Sequence, residues 1–179
     1  MKYARKINFP IKSVLSKEPG DHVVTIVSMF HMYETLDLDE VTKLLPEELK
    51  QSDFGVYMVQ VDFKQESELI VHYHFKEKCV LNIYLETNGE KTSFYEGPRK
   101  KMALAPGESR MYRQLEKQPM NEAESFVAQP GECWLIKTRQ PHGVTSVETQ
   151  GLRKMIQVYF ADMDYDTVLT IMEKSYGSY

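Results

Sequence analysis

From Val56 to Asp162 the chain reads as one short strand after another, separated by turns rich in glycine, proline and charge. "VYMVQVDF" alternates apolar and polar residues, "SELIVHYHF" follows a polar turn, and "CVLNIYLE" follows Lys76-Glu77-Lys78. "TNGEK" carries Asn88-Gly89, a strong hairpin signal, and "KTSFYEG" leads back from it. "SFVAQPGECWLIKT" turns at Pro130-Gly131, and "GVTSVET" and "LRKMIQVYFAD" are two further strands divided at Gln150-Gly151. A run of about eight strands at this spacing, joined by Gly/Pro turns, implies a sandwich or barrel.

Helical spacing is confined to the flanks. "HVVTIVSMFHM", residues 22 to 32, is rich in β-branched and aromatic types and reads as one more strand. In "TLDLDEVTKLLPEELKQ", Val41, Leu44, Leu45 and Leu49 fall on one helical face, with Asp37 or Asp39 as cap. Pro46 predicts a kink, or two short helices with Pro46 opening the second. "DYDTVLTIMEKSYG" predicts a short final helix, capped by Asp164 or Asp166, with Val168, Ile171 and Met172 on one face and Gly177 past its end. Residues 97 to 124 carry three prolines and many charges and read as a long polar excursion, in which "RMYRQLEK" is a short strand or helix. There is no repeat, low-complexity tract or linker. The expectation is a single, mainly β domain over residues 1–179, with its core at about 56–160.

A chain of 179 residues is long enough to bury a core, and 42% hydrophobic with 27% charged residues is the balance of a globular protein. The net charge of −4 gives no electrostatic footprint for nucleic acid, and Pro98-Arg99-Lys100-Lys101 is too short to change that. "MKYARKINFPIK" is polar and broken at Pro10, so no signal peptide is expected; no apolar run approaches the ~18 residues of a membrane span. Cys79 and Cys133 form no disulfide framework, and a cytoplasmic protein with reduced, buried thiols is the simplest reading.

His72 and His74 are two apart on a strand and therefore project from the same face. Either they are two wet residues on an exposed sheet face, or their imidazoles grip one divalent cation at the ~2.1 Å that a metal–nitrogen bond needs. A pair supplies two ligands, and His142 is the candidate for a third. It follows a strand launched by Pro130-Gly131 and sits in a second turn with Pro141. His22 and His31 lie outside this pattern. No Gly-rich phosphate loop or G-X-S-X-G elbow is present. A Cys133 nucleophile served by His142 is disfavoured, because the intervening strand would span ~30 Å if fully extended.

The run "HYHFKEKCVLNIYLETNGEKTSFYEG", followed much later by "PGECWLIKTRQPHGVTSVETQGLRKMIQVYF", resembles the double-stranded β-helix oxygenases that use iron and 2-oxoglutarate. The resemblance covers about residues 69 to 160. It implies a jelly-roll, cupin-like barrel holding Fe(II) or another divalent metal. His72 would be the first ligand, His74 would occupy the carboxylate ligand's position, and His142 would be the distal ligand. Arg153 would hold the far carboxylate of 2-oxoglutarate, with Asn82 and Tyr84 adding hydrogen bonds from the wall. His74 is a departure, since the family has Asp or Glu there, and a three-histidine site carries one negative charge fewer. Such a site suits the cupins, which share the barrel and often show His-X-His, a nearby Glu and a distal His; Glu77 or Glu86 could still supply a carboxylate.

Three readings stay open: an iron/2-oxoglutarate oxygenase, a cupin-type metalloprotein acting as an isomerase or as a dioxygenase without oxoacid, and a non-catalytic barrel used for binding or assembly. The substrate, small molecule or protein, is not specified by the sequence. The sequence does not fix the oligomeric state; barrels of this class often pair through exposed strands, which makes a homodimer the candidate assembly.

Overall fold

The computed structural model describes residues 1–11, 22–27, 30–34, 39–64, 68–100, 112–116, 120–145 and 150–177. Within them run the strands β1 (Ala4–Lys6), β2 (His22–Val27), β3 (Phe30–Glu34), β4 (Phe54–Lys64), β5 (Glu68–His74), β6 (Cys79–Glu86), β7 (Lys91–Glu96), β8 (Tyr112–Gln114), β9 (Asn121–Val127), β10 (Cys133–Ile136), β11 (His142–Thr145) and β12 (Gln150–Phe160). Helices α1 (Asp39–Leu44) and α2 (Glu47–Lys50) precede β4, and α3 (Tyr165–Tyr176) follows β12.

The strands form two antiparallel sheets, ordered β1-β10-β6-β12-β4-β3-β2 and β8-β5-β11-β7-β9. The chain changes sheet between β4 and β5, β5 and β6, and β6 and β7, and again at each step from β9 to β12. Four strands, β4-β12-β6-β10, thus face four, β5-β11-β7-β9. That is the winding of a double-stranded β-helix, the jelly-roll barrel expected from the sequence.

Strand β6 shows why its sequence barely alternates. Cys79, Leu81 and Ile83 point outward into a core shared with Val41, Leu45 and Leu49 of the first helical segment and Val168 and Met172 of α3. Val80 and Tyr84 point inward, into a second core with Val59, Phe94, Val144 and Met155. A strand covered on both faces has no reason to place polar residues at alternate positions. Ile7, Phe9 and Ile11 also enter the outer core, and β1 adds an edge strand beside β10.

The helices match their sequence signals. Pro46 separates α1 from α2 and is the N-cap of the second. The Asp164 carboxylate accepts a hydrogen bond from the Thr167 N–H at 2.9 Å and caps α3; Gly177, at φ +78°, closes it. Asp37 lies outside the described residues, and Asp39 is the first residue of α1.

Four expectations are corrected. Asn88-Gly89 does not make a hairpin: β6 already has β10 and β12 on its two edges, so the turn carries the chain across to the other sheet. Gln150 and Gly151 are strand residues paired with Lys64 and Phe63, not a turn. Residues 22–32 hold two strands, β2 and β3, paired with each other. The polar excursion holds the short strand allowed for "RMYRQLEK", β8, but it is not without a core: it also contributes most of β9 and buried Leu115 and Met120. Among the described residues no helix is long and apolar enough to cross a membrane.

Candidate metal centre

Strands β5 and β11 are antiparallel neighbours, and their register sets His142 directly opposite His72. His74 lies two residues further along β5, on the same face. The ring centroids of His72 and His142 are 4.5 Å apart, and each is 5.3 Å from that of His74. One ring nitrogen from each residue lies within 4.8 Å of the other two. Small side-chain rotations would bring all three to the ~2.1 Å bonds of a divalent cation.

Two of the imidazoles are aimed by their backs. His142 Nδ1 donates to the Gln140 carbonyl at 2.8 Å, and His74 Nδ1 lies 3.2 Å from Glu77 Oε2. Both contacts engage Nδ1 and leave Nε2 as the atom that would ligate a cation. Burial, then the neighbouring His72 and His74, hold the His142 pKa far below the usual histidine value. It is therefore neutral at physiological pH, the form that ligates a metal. Burial pushes the Glu77 carboxyl upward, but the hydrogen bond with His74 and backbone contacts outweigh it, so the carboxyl sits below its ordinary value and is ionised. Glu77 thus stands behind His74 as a carboxylate that orients it. Glu86 is exposed at the end of β6, with Lys154 4.0 Å away. Among the described residues, the group placed to hold a cation is three imidazoles and no carboxylate.

The opposite wall of the barrel is polar. On β12, Arg153, Met155, Gln157 and Tyr159 point inward, whereas Ile156, Val158 and Phe160 belong to the outer core. Gln157 Nε2 donates to Asn82 Oδ1 at 2.9 Å, Asn82 Nδ2 lies 3.4 Å from the Tyr84 hydroxyl, and Arg153 Nη2 donates to that hydroxyl at 2.8 Å. Sequence reasoning named Asn82, Tyr84 and Arg153, and the fold brings them together. It missed Glu90, whose Oε1 is 3.5 Å from Arg153 Nε with both side chains buried. "TNGEK" reads as an exposed turn, and nothing local marks Glu90 as a buried partner.

Tyr57 and Tyr159 stack at 5.1 Å, with their hydroxyls 2.8 Å apart. Together with Gln157, His72 and His74 they keep partial exposure, whereas Asn82, Tyr84 and Arg153 are buried, so the interior opens at the tyrosine end. Trp134 stacks on Phe126 at 4.1 Å and donates to Glu132, a packing role. Cys133 and Cys79 lie in the outer core, on the far side of the first sheet from the histidines. His22 and His31 fall on β2 and β3, and their side chains lie outside the described residues.

No protein-family model and no curated protein matches the chain. Among solved structures, vicilin from hazelnut, Corylus avellana, is 14% identical with a TM-score of 0.42, over 83% of this chain and 32% of its own. An oxalate decarboxylase from Bacillus subtilis is 12% identical with a TM-score of 0.40, over 84% and 29%. The plu4264 protein from Photorhabdus luminescens is 14% identical with a TM-score of 0.43, over 89% and 98%. The chain spans about a third of the length of the first two. Likenesses this distant say nothing of chemistry, and the fold follows from the strand order itself.

Proposed function

We propose that this protein is a cupin-type metalloenzyme that binds a divalent cation, Fe(II) or another first-row metal, through His72, His74 and His142, and a small polar substrate in the barrel interior. The observation that carries the reading is the convergence of three ring nitrogens from two paired strands, two of them oriented through Nδ1. Three neutral ligands add no charge, so a bound cation keeps its full positive charge and open positions for an oxygen-donor substrate. Such a cation supplies Lewis acidity and, where it is iron, the chemistry of dioxygen. The chain's part is to hold the ligands, orient the substrate against the Asn82–Tyr84–Arg153 wall, and exclude water at the buried end.

Elemental analysis of the purified protein tests this. About one divalent ion per chain is expected, lost in His142→Ala and His74→Ala variants that keep the wild-type circular dichroism. Wild-type protein that takes up no ion from a reconstitution mixture ends the proposal and leaves a non-catalytic barrel.

One observation favours a second reading, an iron/2-oxoglutarate oxygenase. Arg153 faces the interior, as an oxoacid clamp would, and is close enough to contribute to the lowered His142 pKa. Against it stand His74 in the acid's place and Glu90 already beside Arg153. Succinate released from 2-oxoglutarate by the iron-loaded protein, and not by Arg153→Ala, would decide for this second reading.

A further inference from the structure

The strand that turns His72 and His74 inward turns Tyr73 outward, with Phe75 just past its end. Phe75 is 39% exposed, the one aromatic side chain among the large apolar groups left open to solvent in the described residues. It meets the Tyr73 ring edge-on at 5.5 Å, and the Arg99 guanidinium lies over the Tyr73 ring, 5.4 Å from its centroid. Lys76 follows Phe75 in the turn, and Arg139, from the turn before β11, reaches the Lys76 carbonyl at 3.5 Å. Arg99, Tyr73, Phe75, Lys76 and Arg139 thus form one continuous row, along the outer face of the second sheet and onto the rim beside His74.

The charge on this row is not spent within the molecule. Lys76, Arg99 and Arg139 are all exposed. Among the described residues none of the three stands in an ion pair, whereas their neighbours Lys100 and Lys137 meet Glu116 at 2.9 Å and Asp166 at 3.9 Å. The positive excess is local, since the whole chain carries −4. Three cations around an exposed ring match carboxylates that flank an apolar side chain. A guanidinium takes a carboxylate through two N–H groups, and the ring takes the apolar group. Extended peptide rises ~3.3 Å per residue, so roughly three or four residues cover the two ring steps of the row. Nucleic acid fits less well, because Arg99 already covers the Tyr73 face on which a base would stack, and the net negative charge repels a long polyanion.

We infer that this row is a docking surface for an acidic polypeptide segment in which glutamates or aspartates flank a hydrophobic residue. The surface lies outside the barrel and does not depend on a bound cation. A segment seated on it crosses the rim next to His74. The probe is a fluorescein-labelled, glutamate-rich peptide with one central leucine, titrated with the full chain at low salt and read by fluorescence anisotropy. Its glutamine-for-glutamate counterpart and a single-stranded oligonucleotide of equal charge are the comparisons.

The glutamate peptide is expected to bind about tenfold more tightly than either comparison, and its affinity to fall as salt screens the exposed charges. Lys76→Ala/Arg139→Ala and Arg99→Ala are each expected to weaken it about tenfold. Lys43→Ala/Lys174→Ala removes the same charge as the first of these from exposed helix positions and is expected to change nothing. No binding of the glutamate peptide overturns the inference, as does equal binding of the glutamine peptide or the oligonucleotide, or an equal loss in the helix-lysine variant. Self-association of the wild-type chain that Lys76→Ala/Arg139→Ala abolishes would assign the row to a second copy and overturn it too.

Discussion

Glu77 is a single side chain that stands behind His74, one of the three ligands proposed for the cation. Its carboxylate fixes which nitrogen of His74 faces the other two rings, and outer partners of this kind typically contribute 10–100-fold in metal affinity. Glu77→Ala is therefore expected to weaken cation binding by about that factor with the fold intact. Titration calorimetry with Fe(II) or Mn(II) reads it, and an unchanged affinity would make Glu77 a bystander. Gly55 acts sterically. It pairs with Tyr159 across β4 and β12, and the phenol ring lies over it, so that a Cβ there would collide with the Tyr159 ring and hydroxyl. Alanine ordinarily improves a strand relative to glycine. Here Gly55→Ala has to push Tyr159 off Tyr57, and a loss of roughly 1–3 kcal/mol is expected, read from urea denaturation. A gain in stability would show that the tyrosine pair moves aside freely.

At the scale of elements, the first sheet is a slab with a core on each side. Cys79 and Cys133 alternate with inward residues and lie in the outer core, between the sheet and the helices. Burial pushes the Cys79 thiol up to about 12 and raises Cys133 well above its usual value. Thiolate is the reactive form, so both should resist a disulfide reagent at pH ~8 in the native protein and react only on unfolding. Rapid native labelling of either thiol would mean that the helices do not cover this face as described. The second sheet has a different task. Its strands β5 and β11 bring two sets of imidazoles side by side, and a slip of one residue in their register would turn His142 out of the barrel.

For the whole molecule, β1 acts as a strap along the edge of the first sheet. Lys6 pairs with Glu132 Oε1 at 2.7 Å, and Trp134 Nε1 donates to Oε2 at 2.9 Å. Burial raises the Glu132 carboxyl, but Lys6, Trp134 and the Gln129 N–H together hold it below its ordinary 4.5. A carboxyl depressed by folding stabilises the native state above its unfolded pKa, and that contribution fades as pH falls through the folded value. Stability should thus decline with acid below pH 4.5, and Glu132→Gln should flatten that part of the curve of urea midpoint against pH. Parallel curves for the two proteins would remove Glu132 from the acid response.

What the sequence determined by itself was the alphabet of elements and the chemistry available to them. Period-two runs, Pro46 and the capped final helix are local signals, because side-chain direction and backbone propensity are set within a few residues. The same locality let His72 and His74 be read as one pair. Only the tertiary structure decided which strands became neighbours. It turned Asn88-Gly89 from a hairpin into a crossing between sheets, placed His142 opposite His72 across a separation of 70 residues, and buried Glu90 against Arg153. The reason is physical: pairing partners are chosen by competition for sheet edges and by burial of faces, and neither is a property of any short stretch of chain.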